Sequence, residues 1–149
     1  RAEITSRLER AASANPEHAE SQRLLGDLHL LEGRAEDAIA HQRRALRVDP
    51  DDLSARSGLA MALLAADRPG EAAHHLRQVV ARRPGAAEDH HRLGVALARQ
   101  GHLAPALRAF EEALRLDPDH GEARRNAARA RSLVLRPPGA ASGFPSAAP

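Results

Sequence analysis

The 149-residue sequence contains no cysteine, tryptophan, tyrosine or lysine, and only two phenylalanines and one methionine. Without cysteine the chain has neither a disulfide framework nor a thiolate nucleophile, although this does not choose a cellular compartment. All 22 basic residues are therefore arginine, which inflates the isoelectric point to about 10.7. The formal net charge is only +2, too small to indicate binding driven by phosphate contacts.

The hydrophobic residues make up 42% of the chain and are mostly alanine and leucine, which favours closely packed helices over β-sheets. No apolar run approaches the length of a membrane span, and no signal peptide is visible. We expect a soluble protein without membrane insertion, with the cytoplasm favoured over the periplasm, which would require an upstream signal. Because the chain begins at Arg1, we expect a piece of a longer protein or a processed product.

An internal repeat of thirty-four residues runs through the sequence. The phrase ALRVDPDD at 45–52 returns as ALRLDPDH at 113–120, two such steps later. The same step relates several sets of residues, namely Pro16, Pro50, Pro84 and Pro118; Leu25, Leu59 and Leu93; and Ala38, Ala72 and Ala106.

Each unit is predicted to contain two helices. In the first unit leucines at helical spacing stop at Gly33, which ends a helix in the left-handed conformation, and a second apolar stripe begins at Ala35. The units meet at Asn15-Pro16, Asp49-Pro50 and Asp117-Pro118. There we expect the asparagine or aspartate side chain to accept a hydrogen bond from an early N–H of the next helix, with proline in the first helical position.

These residues resemble the tetratricopeptide repeat (TPR) family over roughly residues 1–135. The third unit matches the family pattern most fully, at Leu93, Gly94, Gly101, Ala106, Phe110, Ala113 and Pro118, and the middle unit is the most divergent. The resemblance implies an all-α fold, a right-handed superhelical α-solenoid of antiparallel helix pairs. It would contain about three full repeats and a half repeat at each end.

The expected organisation follows from the repeat. Residues 1–15 form the second helix of a truncated repeat, 19–52, 53–86 and 87–120 form repeats 1 to 3, and 121–135 form a capping helix, as solenoids require. In the cap we expect Ala123, Ala127, Ala130 and Val134 to face inward and Arg124, Arg125, Arg129 and Arg131 outward. Residues 136–149 are rich in proline, glycine, serine and alanine and are predicted to form a disordered tail in which Phe144 is incidental.

The family resemblance implies a protein-interaction module or scaffold that binds a peptide or partner helix in a concave groove. The groove positions are Arg23, Asp27, Leu30, Ser54, Ser57, Met61, Leu64, His91, Val95, Arg99, Arg125 and Arg129. An acidic or amphipathic partner suits the arginines, although exposed arginines on helices are as often merely solvated. Self-association through the truncated N-terminal half repeat is a further expectation.

One TPR subgroup clamps the terminal carboxylate of its ligand with lysine and asparagine, and the resemblance to it is poor. Arg23 and Arg92 are basic where the subgroup is basic, but Asp27, Gly58 and Glu88 replace its amide or lysine positions. A carboxylate at Asp27 would repel the ligand carboxylate. We therefore do not expect chaperone-tail recognition to be the main function.

Other function classes remain as alternatives. The chain could be the substrate-recognition or regulatory arm of a larger enzyme, such as a glycosyltransferase or hydroxylase, with its catalytic domain elsewhere. RNA binding ranks last because the surface lacks aromatic residues. No catalytic motif appears, so we expect no enzyme activity and no cofactor. We also expect no metal site, because the adjacent pairs His74-His75 and His90-His91 point about 100° apart on a helix.

Overall fold

The computed structural model describes residues 2–15 and 18–136, which form eight α-helices and no strand. The helices are α1 (Ala2–Ala14), α2 (Ala19–Leu31), α3 (Ala35–Val48), α4 (Leu53–Ala65), α5 (Pro69–Arg82), α6 (Ala87–Arg99), α7 (Leu103–Leu116) and α8 (Gly121–Val134). The all-α solenoid predicted from the sequence is confirmed. Pro16, Phe144 and all of the predicted tail except Arg136 lie outside the described residues.

Each helix packs against the next one along the chain, so the units stack in sequence order. The first helices of successive units also touch, α2 with α4, α4 with α6, and α6 with α8. Within the described part of the chain no corresponding contact joins α1, α3, α5 and α7 to one another. Neighbours come closest on the inner side of a curved stack. The helices α2, α4, α6 and α8 therefore line the concave face.

The two helices of each repeat are joined by a turn that contains one residue in the left-handed region. These residues are Gly33 with φ 76°, Asp67 with φ 55° and Gly101 with φ 80°. The predicted role of Gly33 as a left-handed helix end is confirmed. The N–H of Arg34 then donates to the carbonyl of His29 at 2.8 Å, which satisfies a group that the helix end leaves free.

The prolines between units do not occupy the position predicted for them. Pro50 and Pro118 were expected to be the first residues of helices, and this prediction is wrong. The helices begin three residues later, α4 at Leu53 and α8 at Gly121. Proline fits the first turn of a helix and the second position of a β-turn equally well, and here it stands in the turn.

Two different aspartates at this junction perform the two tasks that the sequence suggested for one. The Asp49 carboxylate accepts a hydrogen bond from the N–H of Asp51 at 3.0 Å, so it stabilises the turn rather than the helix. The N-cap of α4 is Asp52, whose side chain accepts from the N–H groups of Ser54 and Ala55. The turn that Asp49 stabilises follows the end of α3, and Asp52 caps the start of α4.

Alanine and leucine fill most of the core, as the composition indicates. Phe110 is the largest fully buried side chain, and Leu93, which the repeat predicts to be internal, is only 8% exposed. Small residues in the core let the helix axes approach closely. The central cluster includes Ala38, Ile39, Leu59, Leu63, Ala72, Leu76, Ala96, Leu97, Ala106 and Ala127.

The two ends of the stack differ in how well they are covered. In α8, Ala123, Ala127 and Ala130 are buried as predicted, but Val134 is 41% exposed. The prediction for Val134 is wrong because no described helix follows α8 to cover its last turn. At the other end Ile4 of α1 is 58% exposed. Among the described residues, no helix has both the length and the hydropathy needed to cross a membrane.

Candidate functional site

The concave face carries the side chains predicted to form a groove, but not all of them reach its surface. Ser57, Leu64 and His91 are buried, which differs from the prediction that they face a ligand. The remaining positions are partly or fully exposed, namely Arg23, Asp27, Leu30, Ser54, Met61, Val95, Arg99, Arg125 and Arg129. Nine of the twelve predicted positions are therefore accessible to a ligand.

A cavity of about 430 Å³ opens between α6 and α8 at the C-terminal end of the groove. It brings together three of the predicted residues, Val95, Arg99 and Arg129. The rest of its wall comes from Ala98, Leu103, Phe110, Asn126, Ala130 and Leu133. Arg99 reaches across to the preceding repeat, where its Nη1 donates to the carbonyl of Leu64 at 2.7 Å. The cavity has an apolar floor with arginine at its edge.

The N-terminal end of the groove is occupied by internal pairing. Arg23 Nη1 donates to Asp27 Oδ2 at 3.2 Å, and Arg23 Nε lies 3.8 Å from Asp52 Oδ2. Gln42 Nε2 donates to the other Asp27 oxygen at 2.7 Å. Burial raises the pKa of the Asp27 carboxyl above its ordinary value, against the opposing effects of Gln42 and Arg23. Arg23 is thus already paired with two carboxylates.

A buried carboxylate joins repeats 2 and 3 near the middle of the groove. Asp89 is 2% exposed, and its Oδ2 accepts a hydrogen bond from Arg83 Nε at 2.8 Å. Its Oδ1 accepts from the hydroxyl of Ser57 at 3.2 Å, and that hydroxyl accepts from Arg92 Nη1 at 2.8 Å. Ser57 is therefore part of an inter-repeat network rather than a ligand contact.

His91, on α6, packs against α7 and the start of α8. Its ring centroid lies 4.6 Å from that of His120 and 5.8 Å from that of Phe110. Burial lowers the pKa of His91 below its ordinary value, although the nearby Glu88 opposes the shift. His120 Nε2 donates to Glu88 Oε2 at 3.0 Å. The sequence pattern does not predict this cluster, which brings His120 at the start of α8 against two residues of α6.

Of the two polar clusters around Asp89 and His91, which were not predicted, only the first has a signal in the sequence. Asp89 stands at the thirty-four-residue step where repeat 2 has Ala55 and the capping helix has Ala123, and all three are buried. A carboxylate in a small-residue register predicts a buried pair, which the structure shows with Arg83. The Glu88 and His120 contact has no such signal, because the two residues are thirty-two positions apart and do not share a register.

A second cavity, of about 670 Å³, lies between α1 and α3 and holds none of the predicted groove residues. Gln22 and Leu25 of α2 lie among its lining residues, together with His41, Arg44 and Arg47 of α3 and Glu9 of α1. His41 Nδ1 lies 2.8 Å from Gln22 Oε1. This cavity separates α1 from α3, and these two described helices do not contact each other.

Family models described as tetratricopeptide repeat match residues 6–53, 43–87 and 87–120. Together they extend from the first half of α1 to the residue before α8. A curated relative, Protein FlbA of Caulobacter vibrioides, is 38% identical over 93 residues. That match covers 62% of this chain but only 15% of FlbA, so this chain corresponds to a small part of its relative.

Solved structures agree with this assignment of the fold. MamA is similar with a TM-score of 0.82 at 21% identity, over 87% of this chain and 76% of that one. YrrB, a TPR protein with an unusual peptide-binding site, gives 0.77 at 22% identity, over 87% and 67%. The second TPR domain of human RPAP3, in complex with the HSP70 peptide SGPTIEEVD, gives 0.72 at 26% identity, over 76% and 94%. With family matches across three successive units and the stacked helix pairs seen here, this chain belongs to the tetratricopeptide repeat family.

Proposed function

We propose that this chain is a protein-interaction module that binds an acidic, amphipathic segment of a partner protein at the C-terminal end of its concave groove. The observation that carries the proposal is the cavity between α6 and α8, which combines an apolar floor with Arg99 and Arg129. Such a site suits an apolar anchor side chain flanked by a carboxylate.

The arginines at this end of the groove are not neutralised by the chain itself. Within the described residues, no ion pair involves Arg99, Arg125 or Arg129, and the side-chain hydrogen bond of Arg99 goes to a backbone carbonyl. By contrast, Arg23 and Arg92 on the same face are paired with carboxylates. Positive charge is therefore concentrated at the end of the groove where the cavity lies. Electrostatic complementarity of this kind speeds association and selects partners.

The similar structures provide a precedent for peptides in this fold. The HSP70 peptide bound by RPAP3, SGPTIEEVD, and the HSP90 peptide bound by a related domain, SRMEEVD, both combine acidic and apolar residues. In this chain the terminal-carboxylate clamp is not reproduced, because Asp27 and Glu88 are acidic and Gly58 has no side chain. We therefore expect an internal acidic segment, rather than a chain terminus, to be the ligand.

Leu30, Ser54 and Met61 would extend the contact toward the N-terminal end, and Arg125 would extend it along α8. Ser57, Leu64 and His91 would act through packing, since they are buried. We assign no reaction to these residues. The polar networks around Asp27 and Asp89 are accounted for by contacts between helices.

The experiment is a selection of peptides from a random library, followed by affinity measurement with charge-reversed variants. The double variant Arg99→Glu, Arg129→Glu should weaken binding of the selected peptides by roughly tenfold or more. The matched control is Arg77→Glu, Arg108→Glu, which changes the net charge equally on exposed residues of α5 and α7. Circular dichroism should show unchanged helicity for both.

The proposal would be wrong if both double variants lost affinity equally, which would indicate a non-specific charge effect. It would also be wrong if neither lost affinity, which would place the ligand on another surface. Size-exclusion chromatography of the wild type at the same concentrations distinguishes peptide binding from self-association.

A further inference from the structure

We propose that Glu88, His91 and His120 form a binding site for one divalent cation of the Zn²⁺ class, which links repeat 3 to the capping helix. One carboxylate oxygen of Glu88 and one ring nitrogen of each histidine lie within 4.8 Å of one another. Imidazole nitrogen and carboxylate oxygen are ordinary zinc ligands, and three protein ligands leave a fourth position for water.

The distances between the donor atoms are close to those that a tetrahedral ion requires. Glu88 Oε2 lies 3.0 Å from His120 Nε2 and 3.9 Å from His91 Nδ1. Ligands about 2.1 Å from a tetrahedral ion are roughly 3.4 Å apart. Glu88 and His91 are on the same face of α6 with i,i+3 spacing, a pairing that metal-binding bundles also use. Side-chain adjustments alone would therefore bring the donors to the ion.

An unsatisfied nitrogen points to a missing partner at this position. His91 is 5% exposed, and its buried Nδ1 has no hydrogen-bond partner among the described residues. A buried polar atom without a partner is uncommon and costs stability unless something binds it. The nearest carboxylate oxygen, Glu88 Oε2, is 3.9 Å away, which leaves the nitrogen facing the centre of the cluster. A cation there would satisfy it.

The surrounding residues hold two of the three ligands in place. Arg92 Nε donates to Glu88 Oε1 at 2.9 Å, which leaves Oε2 directed toward the histidines. Asn126 Nδ2 lies 3.1 Å from His91 Nε2, and rotation of this amide by 180° would let its oxygen accept the proton that Nε2 carries when Nδ1 binds metal. Partners of this kind orient ligands in known metal sites.

Metal binding would also change how α8 begins. His120 is the N-cap of α8, and its Nδ1 accepts a hydrogen bond from the N–H of Ala123 at 3.2 Å. When Nε2 binds a cation, the remaining imidazole proton moves to Nδ1, which can then no longer accept. The cation would therefore replace a local cap bond with a link between α6 and α8.

The test is calorimetric titration of the chelator-treated chain with Zn²⁺ alone. We expect about one equivalent to bind to the cluster and to raise the thermal midpoint. His120→Ser should weaken binding by roughly tenfold or more, and serine keeps an N-cap acceptor for α8. Glu88→Gln should also weaken it. The matched control is His18→Ser, because His18 is the N-cap of α2 with the same Nδ1 contact, to Ser21 N–H at 3.2 Å.

Titration with Co²⁺ identifies the ligand geometry independently of stability. We expect the visible absorption of a four-coordinate cobalt site in the wild type and in His18→Ser, and its loss in His120→Ser and Glu88→Gln. The proposal is overturned if Zn²⁺ does not bind, or if His18→Ser loses affinity as much as His120→Ser. It is also overturned if both cluster variants bind like the wild type, since the ion would then be held by other histidines.

Discussion

Gly94 on α6 lies so close to the ring of Phe110 on α7 that a methyl group there would be 2.5 Å from Phe110 Cε1. The ring therefore fills the space that a side chain at Gly94 would occupy. This contact explains why the third repeat has glycine at position 94 and phenylalanine at position 110. A glycine inside a helix lowers helix stability, but here it lets the largest buried side chain of the core reach the helix backbone.

Gly94→Ala should destabilise the chain by about 1–3 kcal/mol, because the Phe110 ring must move in a packed core. Gly70→Ala is the matched control. It is also a helical glycine, but an added methyl would meet only Gln100 Oε1 at 3.7 Å. We expect it to leave stability unchanged or to raise it by up to about 1 kcal/mol. Urea unfolding followed by circular dichroism measures both, and equal effects would contradict the proposed packing role of Gly94.

The repeat pattern predicted the fold because its signals are local. Gly33 and Gly101 end helices through their own backbone conformation, and the leucine and alanine stripes define one face of one helix. The position of Pro50 was predicted wrongly because proline satisfies a turn as well as a helix start. Nothing in the nearby sequence chooses between the two.

The side-chain partners in the polar clusters could not be predicted from the sequence for a different reason, although the position of Asp89 carries a signal. Gln42 stands two repeat steps before Phe110, and a methyl group at Gly26 would lie 2.7 Å from its Nε2. The Gln42 side chain therefore occupies the core position that Phe110 occupies in the third repeat, but its amide also donates a hydrogen bond to Asp27. Whether a polar residue in a core slot finds a partner depends on the facing helix. The repeat register predicts which position is buried, and only the packed structure shows which side chain it contacts.

Asp67 is the residue in the left-handed region where the other two turns have glycine, with φ 55°. We expect Asp67→Gly to stabilise the chain by about 0.5 kcal/mol, since relief of the backbone strain exceeds the added freedom of the unfolded chain. Asp67→Ala should instead destabilise it, because alanine removes the carboxylate but keeps the strain. The thermal midpoint should be highest for Asp67→Gly, intermediate for the wild type and lowest for Asp67→Ala. Equal midpoints for the two variants would mean that the carboxylate, not the backbone, controls the turn.

The ion pairs of Arg82 and Arg83 offer a comparison between exposed and buried charge. Arg83 binds Asp89, which is 2% exposed, at 2.8 Å, whereas Arg82 binds Asp51, which is 77% exposed, at 2.6 Å. We expect Asp51→Ala to change stability by about 0.5 kcal/mol or less. Asp89→Ala should cost about 2–4 kcal/mol, below the range for a fully buried pair because Arg83 remains partly in water.

Alanine is sterically acceptable at position 89, because Ala55 and Ala123 occupy the equivalent buried positions. A large loss in Asp89→Ala would therefore come from the unpaired Arg83 and from the lost acceptor of the Ser57 hydroxyl rather than from a clash. Urea midpoints of the two variants give the comparison. If Asp89→Ala were as stable as Asp51→Ala, the network would not hold repeats 2 and 3 together.

The effect of Asp27→Asn on stability should depend on pH. Burial raises the pKa of its carboxyl in the folded chain above the ordinary 3.8, so folding favours the protonated form. Ionised Asp27 therefore weakens folding once the pH exceeds the unfolded-state pKa, and fully so above the folded-state pKa. Asp27→Asn is neutral at every pH, and its amide oxygen can still accept the hydrogen bond from Gln42.

We expect Asp27→Asn to have a higher thermal midpoint than the wild type at pH 7, and this advantage should shrink as the pH falls toward the ordinary pKa of aspartate. The matched control is Asp119→Asn, at a fully exposed aspartate, which should give a small difference at both pH values. An Asp27→Asn variant that is less stable at pH 7, and that recovers on acidification, would show that pairing with Arg23 outweighs burial. That result would reverse the electrostatic account of this end of the groove.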